Sequence, residues 1–272
     1  MKKKIIILTG NETRHKYFKQ YLANDNRFKV IKTYCEGLQK SLRKIIFDSK
    51  KSSKLQKAHL IARDICEEEF FMDYIKNTLD YSNSSYISKG EINGDQVVKE
   101  IEKLNPDLII CYGASLIKSS LLKSFKNRFI NVHLGISPYY KGSGTNIFPI
   151  INNEFDMLGA TFMHIDEGID TGKVIHQFRS EIVIGDSPHT IGNRIIKKMT
   201  NICANLIFHF DNLQNKRQIK VKGKTYYIKD FNSNICEKLY KNLSSKNLFL
   251  NLENKKKIRK KQIIENKLLM NL

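Results

Sequence analysis

Ile5-Ile6-Ile7-Leu8-Thr9-Gly10-Asn11 opens the chain with four apolar residues in a row and then a tight turn. An unbroken apolar run suits a parallel strand covered on both faces, because a strand with one wet face would alternate. Beyond the turn, Tyr17, Phe18, Tyr21 and Leu22 fall at helical spacing, and Phe28-Lys29-Val30-Ile31 reads as a second short strand. The unit is β-α-β, the element from which parallel α/β sheets are built.

Downstream the same alternation recurs. Gly94-Asp95 opens a helix with Val97, Val98, Ile101 and Leu104 inward, and Asn105-Pro106 stops it. Asp107-Leu108-Ile109-Ile110-Cys111 is the clearest buried strand, and Tyr112-Gly113-Ala114-Ser115 leaves it as a tight loop. Phe129-Ile130-Asn131-Val132 is the next strand and places His133 where it runs out. Residues 148–152 read as helical, 159–165 and 173–178 as strands about an acidic turn, and Ser187-Pro188-His189-Thr190 starts a helix reaching Phe208. The pattern predicts an α/β, Rossmann-like, mostly parallel sheet flanked by helices, with a small C-terminal α+β extension. Residues 1–208 are expected to form a catalytic domain carrying a lysine-rich helical insertion at about 35–88. Residues 209–272 are expected to form the extension: 219–229 alternates like a strand, 235–243 reads as a helix, and 251–272 is polar and basic.

A chain of 272 residues has room for one sizeable core, or one domain and an appendage. Its hydrophobic content of 41% and charged content of 27% suit a folded chain rather than a disordered one. No apolar run reaches the roughly 20 residues of a membrane helix. The opening Met1-Lys2-Lys3-Lys4 is followed by a short apolar run that gives way at once to Thr9-Gly10. A buried strand, not a signal peptide, is therefore expected, and with it a cytoplasmic location. Five cysteines without a CxxC pair suggest neither a zinc site nor a disulfide framework, and no metal is expected. The formal charge of +20 suits attraction to phosphorylated substrates, nucleic acid or anionic membrane. Its lysines are scattered, with one dense run at 255–261, and like-charge runs are usually solvent-facing.

Two short stretches carry chemistry. Asn131-Val132-His133 stands at a strand end, where residues two apart point to one face. Asp166-Glu167-Gly168-Ile169-Asp170-Thr171-Gly172 is the acidic turn. An uncharged amide donor suits an oxyanion, and one such donor is worth roughly 3 kcal/mol. Histidine takes either protonation state near neutral pH, and a carboxylate beside it fixes which ring nitrogen faces a substrate. Asn131, His133 and Asp170 are the candidate catalytic residues.

Asn131–Gly142 (NVHLGISPYYKG) and Leu158–Gly172 (LGATFMHIDEGIDTG) resemble the two signature segments of the folate-dependent formyltransferases. That family includes methionyl-tRNA formyltransferase, glycinamide ribonucleotide transformylase and the sugar N-formyltransferases. The resemblance covers most of residues 1–180 and is weaker over 223–231. It implies that Asn131 stabilises a tetrahedral intermediate and that His133 stabilises the oxyanion or relays a proton. Asp170 would orient the imidazole and assist proton removal from the attacking amine. It also implies that the formyl donor, 10-formyltetrahydrofolate, lies against Tyr112, Gly113, Ala114, Ser115, Leu116 and Ile117, with Asp166, Glu167 and Gly168 closing over the pterin.

Methionyl-tRNA formyltransferase usually follows its NxH with SLLPxxRG, and this chain has LGISPYYKG instead. That departure is similar to the sugar-modifying branch and implies an acceptor amine on a nucleotide-linked amino deoxysugar used in surface polysaccharide. Gly10 and Asn11, at a strand-to-helix turn, are the candidate phosphate contacts. Tyr139, Tyr140 and Lys141 are the candidate substrate-loop residues. The alternatives are a methionyl-tRNA formyltransferase, a formyltetrahydrofolate hydrolase, and a basic RNA-binding protein on an inactive core. Hydrophobic positions in the 35–88 segment and the tail offer a homodimer contact.

Overall fold

The opening apolar run forms β1 (Lys4–Thr9), with Ile5 to Leu8 fully buried in the computed structural model, which describes residues 1–37, 42–221, 223–255 and 261–270. It is followed by α1 (Thr13–Ala23), β2 (Lys29–Glu36), α2 (Leu42–Asp48), α3 (Lys54–Asn77) and β3 (Ser84–Ile87). Then come α4 (Asp95–Leu104), β4 (Leu108–Tyr112), α5 (Ser119–Ser124), β5 (Phe129–His133), β6 (Tyr140–Gly142) and α6 (Phe148–Ile151). The chain continues through β7 (Gly159–His164), β8 (Val174–Arg179), α7 (Pro188–His209), β9 (Lys224–Tyr226), α8 (Ser233–Asn242) and α9 (Ser245–Lys255).

Seven strands make the main sheet in the order β3-β2-β1-β4-β5-β7-β8. The first five run parallel, β7 runs antiparallel to β5, and β8, antiparallel to β7, returns to the direction of the first five. The apolar run of β1 is continuous because each face has its own core. Ile5 and Ile7 meet Phe18, Leu60 and Met199 from α1, α3 and α7. Ile6 and Leu8 meet Val97, Ile101 and Leu121 from α4 and α5. Strand order reverses between β1 and β4, which opens a crevice at their carboxyl ends where ligands of such sheets lie.

Three expectations are corrected. The segment at 35–88 is a crossover rather than an insertion, since it begins inside β2 and ends in β3, which pairs with β2 in parallel. Its helix α3 starts at a capping box in which Ser53 Oγ accepts from the Gln56 N–H at 3.2 Å and Gln56 Oε1 accepts from the Ser53 N–H at 3.1 Å. Among the described residues of the alternating stretch 219–229 only β9 is a strand, and it pairs with β6 rather than with the main sheet. The polar tail is in part a packed element: the Gln177 N–H donates to Ile264 O at 2.7 Å, and Ile264 and Leu269 are buried. Two apolar side chains among many polar ones were enough to dock it. Residues 256–260 of the basic run lie outside the described residues. The C-terminal part shares the main core through Tyr226, Phe231, Cys236 and Leu239. No helix among the described residues is long and apolar enough to cross a membrane.

Candidate active site

A cavity of about 660 Å³ opens at the carboxyl ends of β1, β4 and β5. Asn131, His133 and Asp170 share one of its walls. Asn131 Nδ2 donates to Asp170 Oδ1 at 2.8 Å. His133 Nδ1 lies 3.3 Å from Asp170 Oδ2, and the same oxygen accepts from the Gly142 N–H at 2.8 Å. The two ionisable side chains are 7% and 9% exposed, so this carboxylate is desolvated and satisfied entirely by protein donors. The other ring nitrogen, Nε2, sits 3.0 Å from the Tyr140 carbonyl oxygen and 3.5 Å from Thr145 Oγ1. The Thr145 hydroxyl is committed to Leu134 O at 2.6 Å, so both ring nitrogens face acceptors.

The loop after β4 forms a second wall, with Tyr112, Gly113, Ala114, Ser115, Leu116 and Ile117 lining the cavity. It turns tightly because Gly113 takes φ +70, and a Cβ there would lie 2.4 Å from His15 Nε2. Gly10 is needed for the same reason, since its Cβ would meet His15 Cε1 at 2.6 Å. His15 thus wedges between the ends of β1 and β4, with its ring against Tyr112. Burial, then Arg14, Lys89 and Arg63, holds its pKa well below the ordinary value. The loop is tied down by Glu36 at the end of β2. Its carboxylate accepts from the Ser115 N–H at 2.6 Å, the Gly90 N–H at 2.8 Å and Lys89 Nζ at 2.9 Å. Burial pushes the Glu36 carboxyl up, but these donors outweigh it and bring the pKa below the usual value.

The third wall was not anticipated. His59, Arg63 and Glu67 reach the cavity from one face of α3, their spacing of four being the signal that could have found them. Arg14 Nη1 donates to Glu67 Oε1 at 2.6 Å and also pairs with Glu12, and Arg63 Nη2 lies 3.4 Å from Glu12 Oε1. Burial and then Arg14 push Arg63 down to about 10. The His59 ring lies tilted against His189, centroids 4.5 Å apart, and burial brings the two to about 3 and about 4.

The remaining candidates divide. Gly10, Asp166 and Gly168 line the cavity, whereas Asn11, Glu167, Tyr139, Tyr140 and Lys141 do not. Tyr140 is buried, stacks on Tyr226 and donates its hydroxyl to Glu154 Oε2 at 2.6 Å, so only its carbonyl serves the site. The Tyr139 hydroxyl is spent on Gln262 O at 3.1 Å. Lys141 is half-buried and Glu167 exposed, both off the cavity wall. Of the expected phosphate turn, Gly10 reaches the cavity and Asn11 does not, and the Glu12 carboxylate at the start of α1 is paired with Arg14 and Arg63.

A sequence profile described as formyl transferase matches residues 32–207. Methionyl-tRNA formyltransferase of Finegoldia magna is 37% identical over 91 residues, which is 33% of this chain and 29% of that protein. The enzyme of the same name from Thermodesulfovibrio yellowstonii is 31% identical over 137 residues, 50% of this chain and 42% of that one. This chain thus spans less than half the length of either relative. Among solved structures, a sugar N-formyltransferase from a Shewanella species superposes with a TM-score of 0.57 at 19% identity, over 84% of this chain and 78% of that one. WlaRD, a sugar 3N-formyl transferase solved in the presence of dTDP and 5-N-formyl-THF, gives 0.53 at 25% identity, over 85% and 72%. Glycinamide ribonucleotide transformylase 1 from Symbiobacterium toebii gives 0.54 at 14% identity, over 81% and 95%.

Proposed function

We propose a reaction from the premise that this chain belongs to the formyl transferase family: it moves a formyl group from 10-formyltetrahydrofolate to the primary amine of a nucleotide-linked amino deoxysugar. The observation that carries the reading is the Asp170 carboxylate, which binds Asn131 and His133 together at a cavity wall. The cavity suits the donor, since its volume is that of a small-molecule site. Leu116, Ile117, Met163, Ile165 and Ile169 give it apolar surface for a flat ring.

When bound, the folate supplies the carbonyl carbon. Asn131 has a second amide N–H beyond the one given to Asp170, and this donor is offered to the carbonyl oxygen as negative charge develops. His133 stands two residues along the same strand end, its ring held between the Asp170 carboxylate and the Tyr140 carbonyl. The amine nitrogen would add to the formyl carbon first, placing the charge on the oxygen that Asn131 faces, and the bond to the folate nitrogen would break as the carbonyl re-forms. The proton lost by the amine passes to the His133–Asp170 pair and from there to the leaving nitrogen, so the enzyme ends as it began.

The sugar acceptor is supported by LGISPYYKG in place of SLLPxxRG and by the likeness to WlaRD, a sugar 3N-formyl transferase solved in the presence of dTDP and 5-N-formyl-THF. A second reading, formylation of methionyl-tRNA, is favoured by the identity to the Finegoldia and Thermodesulfovibrio enzymes and by the charge of +20. The test offers the protein 10-formyltetrahydrofolate with a panel of nucleotide-linked amino sugars, or with methionyl initiator tRNA, and reads products by mass spectrometry. A formamido sugar nucleotide is expected. Formylation of the tRNA alone would replace this reading with the second, and formate release without any acceptor would replace both with a hydrolase.

A further inference from the structure

The carboxylate at the centre of the site is set on an awkward backbone. Asp170 takes φ 51°, the left-handed region that most residues with a side chain avoid. From that conformation its two oxygens reach Asn131, His133 and Gly142 together. Something must hold the turn there, and the candidate comes from a part of the chain beyond the matched residues 32–207.

Lys216 makes a two-way backbone bridge with Val174, the first residue of β8, each N–H···O at 2.8 Å. The bridge sets the register of this otherwise irregular segment and carries Gln218 over the acidic turn. Gln218 Nε2 then donates to Asp170 O at 2.8 Å and to Gly172 O at 3.0 Å, which uses both of its hydrogens. A carbonyl in a left-handed turn lies outside any ladder and needs a donor from elsewhere; Asp166 ties the near side of the turn through the Gly168 N–H and the Thr171 hydroxyl, and Gln218 supplies the donors on the far side.

We infer that Gln218 is a positioning residue: by capping the carbonyls of Asp170 and Gly172 it keeps Asp170 in the conformation from which its carboxylate organises Asn131 and His133. The consequence for rate rests on the reading of Asp170 given above, while the consequence for geometry does not. The active site is then completed by the C-terminal segment, and the region matched by the family profile alone lacks a part of it.

The test measures kcat, KM for the formyl donor, thermal midpoint and the backbone amide resonance of Gly142, which reports the hydrogen bond to Asp170 Oδ2. Gln218→Ala and Gln218→Met, the second keeping the volume without the donors, are compared with Gln218→Lys, which keeps N–H donors at similar reach, and with Asp170→Asn. The Ala and Met variants are expected to lose roughly a hundredfold in kcat, the scale of a small misplacement of catalytic groups, with KM and thermal midpoint little changed. Their Gly142 resonance should move toward that of Asp170→Asn, and Gln218→Lys should recover part of both. Wild-type kcat and an unmoved Gly142 resonance in both donor-less variants would overturn the inference. Should Asp170→Asn turn over normally while Gln218→Met still moves Gly142, the positioning stands and the catalytic reading of Asp170 falls.

Discussion

Asp170 stands 39 positions after Asn131, yet its Oδ1 accepts from Asn131 Nδ2 at 2.8 Å while its Oδ2 faces His133. The closure comes from the sheet. β5 ends in the Asn-x-His pair, β7 runs back beside it with Met163 opposite Asn131, and the turn beyond β7 returns the carboxylate to the end of β5. One carboxylate therefore holds both a side-chain amide and an imidazole.

Asn131→Ala removes the amide donor and, with it, the hydrogen bond to Asp170 Oδ1, while Gly142 and His133 still face Oδ2. A fall in kcat of about 10²–10³ is expected, the loss typical of one oxyanion donor. Single-turnover formyl transfer checks it, with donor affinity measured separately by calorimetry and expected to hold.

Asp170→Asn keeps the shape and tolerates positive φ, since Asn is among the residues that adopt it. It removes the charge that binds the pair. A loss of about 10²–10⁴ in kcat is expected, the range for a general acid–base group, at a near-normal thermal midpoint. Wild-type turnover in this variant would remove Asp170 from the mechanism.

Glu36→Ala frees the Ser115 and Gly90 amides and leaves Lys89 without its partner. A stability loss of about 1–3 kcal/mol is expected from the unsatisfied groups, with a rise in KM for the formyl donor larger than the fall in kcat. The sign with pH follows from a folded pKa below the ordinary 4.5. The contribution of Glu36 is complete above 4.5 and is lost as pH falls through the folded value, so wild type and Glu36→Ala should converge in thermal midpoint under acid conditions.

His59 and His189 have folded values of about 3 and about 4 against an ordinary 6.5. As pH falls below 6.5 the unfolded chain takes up these protons first, so stability drops between 6.5 and the folded values. Thermal midpoints measured from pH 7.5 down to about 5 should decline, and His189→Gln should flatten the decline. An identical slope in that variant would exclude the pair as its source.

Much of the site was legible because its residues sit on regular elements. Period two along β5 put Asn131 and His133 on one face, and the apolar run of β4 placed the loop at Tyr112 beyond a strand end. His59, Arg63 and Glu67 were not among the candidates because a ragged amphipathic stripe does not reveal which of its polar residues will face a cavity formed by distant segments. Tyr139 and Tyr140 misled for the opposite reason: aromatic residues in a loop next to a motif look like ligand contacts, but these two are consumed by Gln262, Tyr226 and Glu154.

Local order, then, was written in the chain itself: hydrophobic periodicity dictates which face of each strand or helix is buried, and this interaction depends only on near neighbours. Convergence was decided by the folded whole. The Asp170 carboxylate, the Glu36 clamp on Ser115 and the Gln218 bridge each join positions far apart in sequence, and a hydrogen bond formed across such a separation leaves no periodic trace in either partner.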